Sequence, residues 1–282
     1  MSTLDMVRAK DGYADFLALL EKWDNLSGNI KSLPKGAPVI LPDIFLVSRS
    51  GTGRTLMLKF LSDFLLEKEN LLDFYGDVRY FEYYLSYCPP HDKFDEIVRF
   101  MDEVRSAAGF RSEYRGIIFI HIDEWLGHAE EKYFKSFLEY LADNSDGWLI
   151  VFSVDGSGDE EEISHLRSLV SAFLRIEQVS IAPPTSRTLL QYLEERLALF
   201  GLSIDGGARE LLSETIDTIK GMRLFDGFKT VKMLSYDIAY SVYSESGDVK
   251  GVLDAKAVGR FASDGEYVRV LCHRLTKPQI GF

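Results

Sequence analysis

The apolar positions change their period once along this chain, and the change divides it. From Asp11 to Trp23, the residues Phe16, Leu17, Leu19, Leu20 and Trp23 recur at helical spacing and predict an amphipathic helix. Ser32 to Pro42 carries three prolines and a glycine and reads as an irregular lead-in. Asp43 to Ser48 (DIFLVS) is a short apolar run suited to a buried strand. A polar turn at Arg49 to Gly53 follows it, and Arg54 to Glu67 returns to helical spacing. The alternation then repeats, with strands expected over Val78 to Tyr87, Gly116 to Ile122, Trp148 to Val154 and Glu177 to Ala182. Helices are expected between them over Asp92 to Ala107, Glu130 to Ala142 and Glu161 to Leu174. Gly116 to Ile122 (GIIFIHI) is nearly all apolar, as strands are when both faces of a sheet are covered. Strands alternating with helices imply an α/β fold, a parallel five-stranded sheet between helices, with Asp43 to Ser48 central.

Pro183-Pro184 ends this pattern. Beyond it the spacing is helical over Thr185 to Phe200, Asp205 to Lys220, Phe228 to Tyr243 and Asp254 to Leu275. The expected organisation is therefore residues 1–184 as an N-terminal helix plus an α/β domain, and residues 185–282 as a small all-helical lid. Composition narrows the partners. With 44 acidic and 32 basic side chains the net charge is −12, which argues against a general nucleic-acid or anionic-membrane binder. Two cysteines, Cys88 and Cys272, cannot form a disulfide framework or a four-ligand zinc site alone. No apolar run approaches the ~18 residues of a membrane span. The first residues lack the apolar core of a secretory signal, so a cytoplasmic location is expected.

Chemistry concentrates where the first strand meets its helix. Ser48 to Thr55 reads S-R-S-G-T-G-R-T, against the phosphate-binding pattern G-x-x-x-x-G-K-[ST]. In that pattern backbone N–H groups wrap the phosphates, the lysine reaches the outer ones, and the hydroxyl binds magnesium. Gly51, Gly53 and Thr55 fit it, while Ser48 stands for the first glycine and Arg54 for the lysine. A plain strand-to-helix turn would show the same glycines. Downstream, the strand over Ile117 to Ile122 ends in Asp123-Glu124, where the first acid would support magnesium and the second activate water. The next strand ends at Ser153, a polar residue placed to face a γ-phosphate. His121 and Asp123 share a face of their strand, but five histidines without an HExxH or a Cys/His cluster make a packed histidine the better reading.

The SRSGTGRT loop, the IIFIHIDE and LIVFS strands and the helical end resemble the AAA+ branch of P-loop ATPases, with a degenerate phosphate loop. The resemblance runs from about Leu26 to the C-terminus. It implies ATP or ADP held by Ser50, Gly51, Thr52, Gly53, Arg54 and Thr55, Mg2+ at Thr55 and Asp123, and catalysis by Glu124 and Ser153. It also implies a protein partner or other AAA+ subunits, in a ring or larger assembly, and an aromatic near Tyr87 that could grip substrate. Departures accompany the matches. Where the family often has S-R-F the chain has Ser171-Ala172-Phe173, and the lid site Gly227-Phe228-Lys229-Thr230 ends in threonine instead of arginine. A guanidinium is wider than an ammonium and prefers bidentate partners, so Arg54 places its charge differently from lysine. The expected function is an AAA+-type nucleotide-binding protein with weak or lost hydrolysis, serving as a structural or regulatory module. The alternative is an active ATPase that remodels a protein partner.

Overall fold

The computed structural model describes residues 2–32, 41–68, 70–72, 80–85, 87, 116–145, 147–222, 224–245 and 251–276. The helix expected over Asp92 to Ala107 lies outside them, as do Cys88 and most of the proline-rich lead-in. The chain divides into two compact units, Met1–Arg49 with Arg54–Ala182, and Ser50–Gly53 with Pro183–Phe282.

In the first unit, β1 (Asp43–Ser48), β2 (Tyr80–Tyr84), β3 (Ile117–His121), β4 (Leu149–Asp155) and β5 (Ile176–Ile181) form the sheet. It has five strands in the order β2-β3-β4-β1-β5, and every pairing is parallel. β1 is separated from β3 by one strand, as the sequence reading allowed, but the middle place belongs to β4, and β1 lies between β4 and β5. Successive strand residues point to opposite faces, and both faces are apolar. Ile44, Leu46, Ile117, Phe119 and Val151 pack on α2 (Ala14–Asn29) and α3 (Arg54–Glu67) through Phe16, Leu20, Leu61 and Phe64. Phe45, Ile118, Ile120, Ile150 and Phe152 pack on α4 (Lys132–Asn144) and α5 (Glu160–Phe173) through Phe134, Leu138 and Leu166. This double burial is why β3 and β4 read as continuous apolar runs. A short α1 (Thr3–Arg8), which the apolar pattern did not suggest, starts at a capping box between Ser2 and Asp5. Thr3 ties it to α3 by donating its N–H and hydroxyl to the Glu67 carboxylate, at 3.1 and 2.6 Å.

The second unit holds α6 (Ser186–Ala198), α7 (Gly206–Lys220), α8 (Gly227–Glu245) and α9 (Glu266–Thr276) around Leu189, Leu193, Leu212, Ile216, Val231, Leu234 and Phe261. Thr185 and Asp205 cap α6 and α7 by accepting from Thr188 N–H and Ala208 N–H. Two details depart from the expected all-helical pattern. Ser203–Ile204 pairs in parallel with Val252–Leu253, a ladder too short to leave a period-two signature. The single helix expected over Asp254 to Leu275 is broken, with a 3₁₀ turn at Gly259–Phe261 before α9 begins. Gly265 marks the break: a Cβ there would stand 2.7 Å from the Arg260 carbonyl oxygen, so the chain turns where only glycine fits.

Asp43 opens β1 with a partly buried carboxyl that accepts the Ile150 N–H at 2.8 Å. Burial pushes its pKa from 3.8 up to about 7, against the opposing effect of that hydrogen bond. The folded chain therefore holds the proton more tightly than the unfolded chain. Stability from this group should be greatest below about pH 4, fall as pH rises toward about 7, and level off above. Asp43→Asn keeps the acceptor and removes the charge. Urea midpoints measured from pH 4 to 8 should flatten in this variant, with a gain on the order of 2 kcal/mol at pH 8.

Candidate functional site

Parallel pairing carries the C-terminal ends of β1, β2, β3 and β4 to one edge of the sheet. The register sets Tyr84 beside His121, His121 beside Ser153, and Ser48 beside Asp155. α3 leaves from this edge and begins at Arg54, whose side chain turns back onto the strand ends. Its Nη1 donates to Ser153 Oγ at 3.1 Å, and its Nη2 donates to the Ser48 carbonyl at 3.0 Å. The same Nη2 lies 3.8 Å from Asp155 Oδ2. Arg54 is only 17% exposed; these contacts engage its two terminal nitrogens, while its buried Nε has no hydrogen-bond partner among the described residues. Ser153 is fully buried, and among the described residues the buried Ser48 hydroxyl has no hydrogen-bond partner.

The acids join the same network. Asp123, in the 3₁₀ turn (Asp123–Trp125) that follows β3, accepts the Asp155 N–H on its Oδ1, so it meets Arg54 through Asp155. Asp123 Oδ2 lies 4.0 Å from His121 Nδ1, and His121 Nε2 is 2.8 Å from Glu82 Oε1. Tyr84 stacks on the His121 ring with centroids 4.0 Å apart and donates its hydroxyl to Glu82. His121 is thus packed, as expected, but between two carboxylates rather than in an apolar setting. Among the described residues no group of three His, Cys, Asp or Glu side chains has the arrangement to hold a metal ion.

Glu124 is engaged elsewhere. Its carboxylate accepts the Tyr87 N–H at 2.6 Å. Tyr87 in turn stacks on His128 at 3.9 Å, donates its hydroxyl to Glu131 and meets Trp125 edge-on. Trp125 Nε1 donates to the Leu85 carbonyl, so Leu85 and Tyr87 are both clamped onto residues 124–131. The hydroxyl bond to Glu131, together with burial and the carboxylate charge, raises the Tyr87 phenol above its ordinary pKa. Thr55 lies exposed in the first turn of α3. In the second unit, Ser50 Oγ donates to Asp226 Oδ1 at 2.7 Å and Phe228 N–H donates to the Gly51 carbonyl at 3.1 Å. Gly51 and Gly53 hold φ of 71° and 105°. A Cβ on Gly51 would meet the Asp226 carbonyl at 2.3 Å. Thr52, between the two glycines, is buried.

The sequence reading named Arg54, Ser153 and Asp123, and the fold links these three. It did not name Asp155, although Asp155 lies two residues beyond Ser153 and so shares its face of β4. Asp226 was beyond reach, because no local pattern connects it to Ser50. At the lid position where the family would have arginine, Thr230 accepts the Asp226 N–H at 3.0 Å, and the neighbouring Lys229 pairs with Asp226 at 3.3 Å.

A parallel sheet ordered 2-3-4-1-5, with a glycine turn leading from β1 to its helix, is the P-loop NTPase architecture. Solved structures narrow this to the fold of the AAA+ ATPases. PCH-2 from C. elegans superposes with a TM-score of 0.54 at 16% identity, covering 93% of this chain and 69% of its own. A point mutant of RuvB from Thermotoga maritima gives 0.55 at 11%, covering 90% and 71%. ORC1 from Aeropyrum pernix, solved in complex with DNA, gives 0.53 at 15%, covering 91% and 65%. No family model and no curated protein matches the chain.

Arg54 is the test of this edge. Arg54→Met should lower unfolding stability by about 1–3 kcal/mol without any ligand present, because Ser153 and Asp155 lose a buried charged donor. Urea denaturation of the purified chain measures this, and an unchanged midpoint would mean that the guanidinium contributes nothing to folding.

Proposed function

We propose that this chain is an AAA+-type module with weak or lost ATP hydrolysis, acting as a structural or regulatory part of a protein assembly. The observation that carries this reading is the state of Arg54. The side chain that replaces the phosphate-reaching lysine is bonded to Ser48 and Ser153 and faces Asp155. To approach a phosphate it must abandon contacts inside the protein that already engage both of its terminal nitrogens.

The residues fit a nucleotide in part. The turn from Ser50 to Gly53 has the positive φ values that let backbone N–H groups converge, and Thr55 and Asp123 are the natural magnesium ligands. A bound nucleotide would bring the reactive phosphoanhydride and its magnesium. Against that fit, Asp123 accepts the Asp155 N–H and Glu124 accepts the Tyr87 N–H, so both acids already have partners. Ser171-Ala172-Phe173 and Thr230 supply no arginine to a developing charge. Removing one group that acts mainly in the transition state commonly costs about 10²- to 10³-fold in rate, and several losses compound. Retention of both Asp123 and Glu124 favours the second reading, an active ATPase that remodels a protein partner.

The partners in this reading are proteins, including other AAA+ subunits in a ring, and the setting is cytoplasmic. Nucleic acid fits less well with a net charge of −12. Among the described residues no helix is long and apolar enough to cross a membrane.

Calorimetric titration of Mg-ATP, with phosphate release followed in parallel, separates the two readings. The wild-type chain should bind weakly and show almost no turnover. Ser48→Gly with Arg54→Lys should raise affinity at least about tenfold while turnover changes far less. Brisk wild-type hydrolysis abolished by Glu124→Gln would establish the active ATPase instead.

A further inference from the structure

The second unit carries an exposed face that its own core does not use. Along α8, Met233, Tyr236, Tyr240 and Tyr243 recur at intervals of three, four and three residues, which puts them on one side of the helix. All four are exposed, Tyr240 to 77%. Leu199, just beyond α6, is 70% exposed and extends the same patch, because its neighbour Phe200 meets the Tyr236 ring edge-on and accepts the Tyr243 hydroxyl. Ordinary surfaces scatter large apolar side chains singly, and a contiguous set rich in Tyr and Met marks an interaction surface.

The charge at this face is distinctive. Arg196 donates to the Tyr236 hydroxyl at 3.0 Å, and its guanidinium stands 5.5 Å from the centre of that ring. Lys232 Nζ stands 5.8 Å from the same ring. Among the described residues neither cation has a carboxylate partner, although acids outnumber bases 44 to 32 along the chain. Asp237, the acid nearest in sequence on α8, accepts the Tyr267 hydroxyl. Two cations flanking an aromatic stripe complement a ligand that is apolar in the middle and acidic at its edge. From Met233 to Tyr243 the stripe runs about 15 Å along the helix axis, the length of roughly three helical turns.

We propose that this face binds an acidic amphipathic helix of a partner protein. The apolar anchors of that helix, spaced i, i+3 or i+4, and i+7, lie along Met233, Tyr236, Tyr240 and Tyr243, and its carboxylates meet Arg196 and Lys232. Helix-in-groove recognition works in this way, with the aromatic anchors supplying affinity and the rim charges selecting the partner. The assignment is independent of whether the strand-end site of the first unit turns over nucleotide.

The test uses the full chain and a displayed library of helical peptides, randomised in both anchor and flanking positions. Wild type is the target, and Tyr240→Ser is the counter-target. Tyr240 is so exposed that its substitution should leave the circular dichroism spectrum and the urea midpoint unchanged. Selected peptides should carry apolar anchors and a clear excess of Asp and Glu. Synthesised singly, they should lose at least about tenfold in affinity against Tyr240→Ser and against Arg196→Gln with Lys232→Gln, and weaken with salt. Enrichment of basic or uncharged peptides would overturn the proposal, and so would selection without preference for wild type over Tyr240→Ser. Sedimentation of the free chain provides the other decision. A dimer that Tyr240→Ser dissolves would give the face to a second copy, against the proposal.

Discussion

A guanidinium taken out of water has to find its hydrogen bonds inside the protein, and the strand-end edge of the first unit is organised around that constraint. Arg54 lies where β1 passes into its helix, and it reaches across β1 to β4. One side chain thereby ties the carbonyl end of β1 to Ser153 and faces Asp155, whose own N–H holds Asp123, two residues beyond β3. His121 and Glu82 extend the chain of contacts to β2. Lysine could not make this pattern, because three donors on a single nitrogen do not span a carbonyl and a hydroxyl as a planar fork does. The substitution that weakens the phosphate reading is the same one that creates the internal tie.

Much of the first unit was legible because its strands are buried on both faces. Runs such as GIIFIHI and LIVFS have few other uses, and their alternation with helices implies a parallel sheet without any coordinate. The strand-end residues Ser153 and Asp123 were legible for a related reason, since polar groups at the end of an apolar run are costly unless they serve something. The partners of those residues were not legible. Asp155 accepts Ser157 N–H like any turn aspartate, and nothing in its local sequence distinguishes it. The Ser50–Asp226 bond joins residues 176 apart. Glu124 was read by its place after Asp123, yet its carboxylate accepts the N–H of Tyr87, 37 residues away, which no local pattern connects to it.

The second unit was less legible. Amphipathic spacing located α6, α7 and α8, but it cannot register a two-residue ladder or the break before α9 imposed by close backbone approach. Gly265 interrupts a run whose side chains would otherwise continue a helix, and only the neighbouring Arg260 and Ala262 carbonyls explain why. The Tyr-rich side of α8 was counted as part of a helical pattern. Its exposure becomes visible only when the opposite side, Val231, Leu234 and Ile238, is seen to fill the core.

Glu82, met above as the partner of His121, stands at the middle of β2, whose sequence is Tyr-Phe-Glu-Tyr-Tyr. Among the described residues this strand is paired on one side only, to β3. Aromatic strands with a free row of backbone groups are templates for pairing with another chain, and an ionised side chain in the middle is the usual safeguard. Glu82 is the single charge on the strand. Its carboxylate is therefore a solubility element as well as a hydrogen-bond acceptor, and replacing it with an uncharged side chain would unmask an edge primed for aggregation.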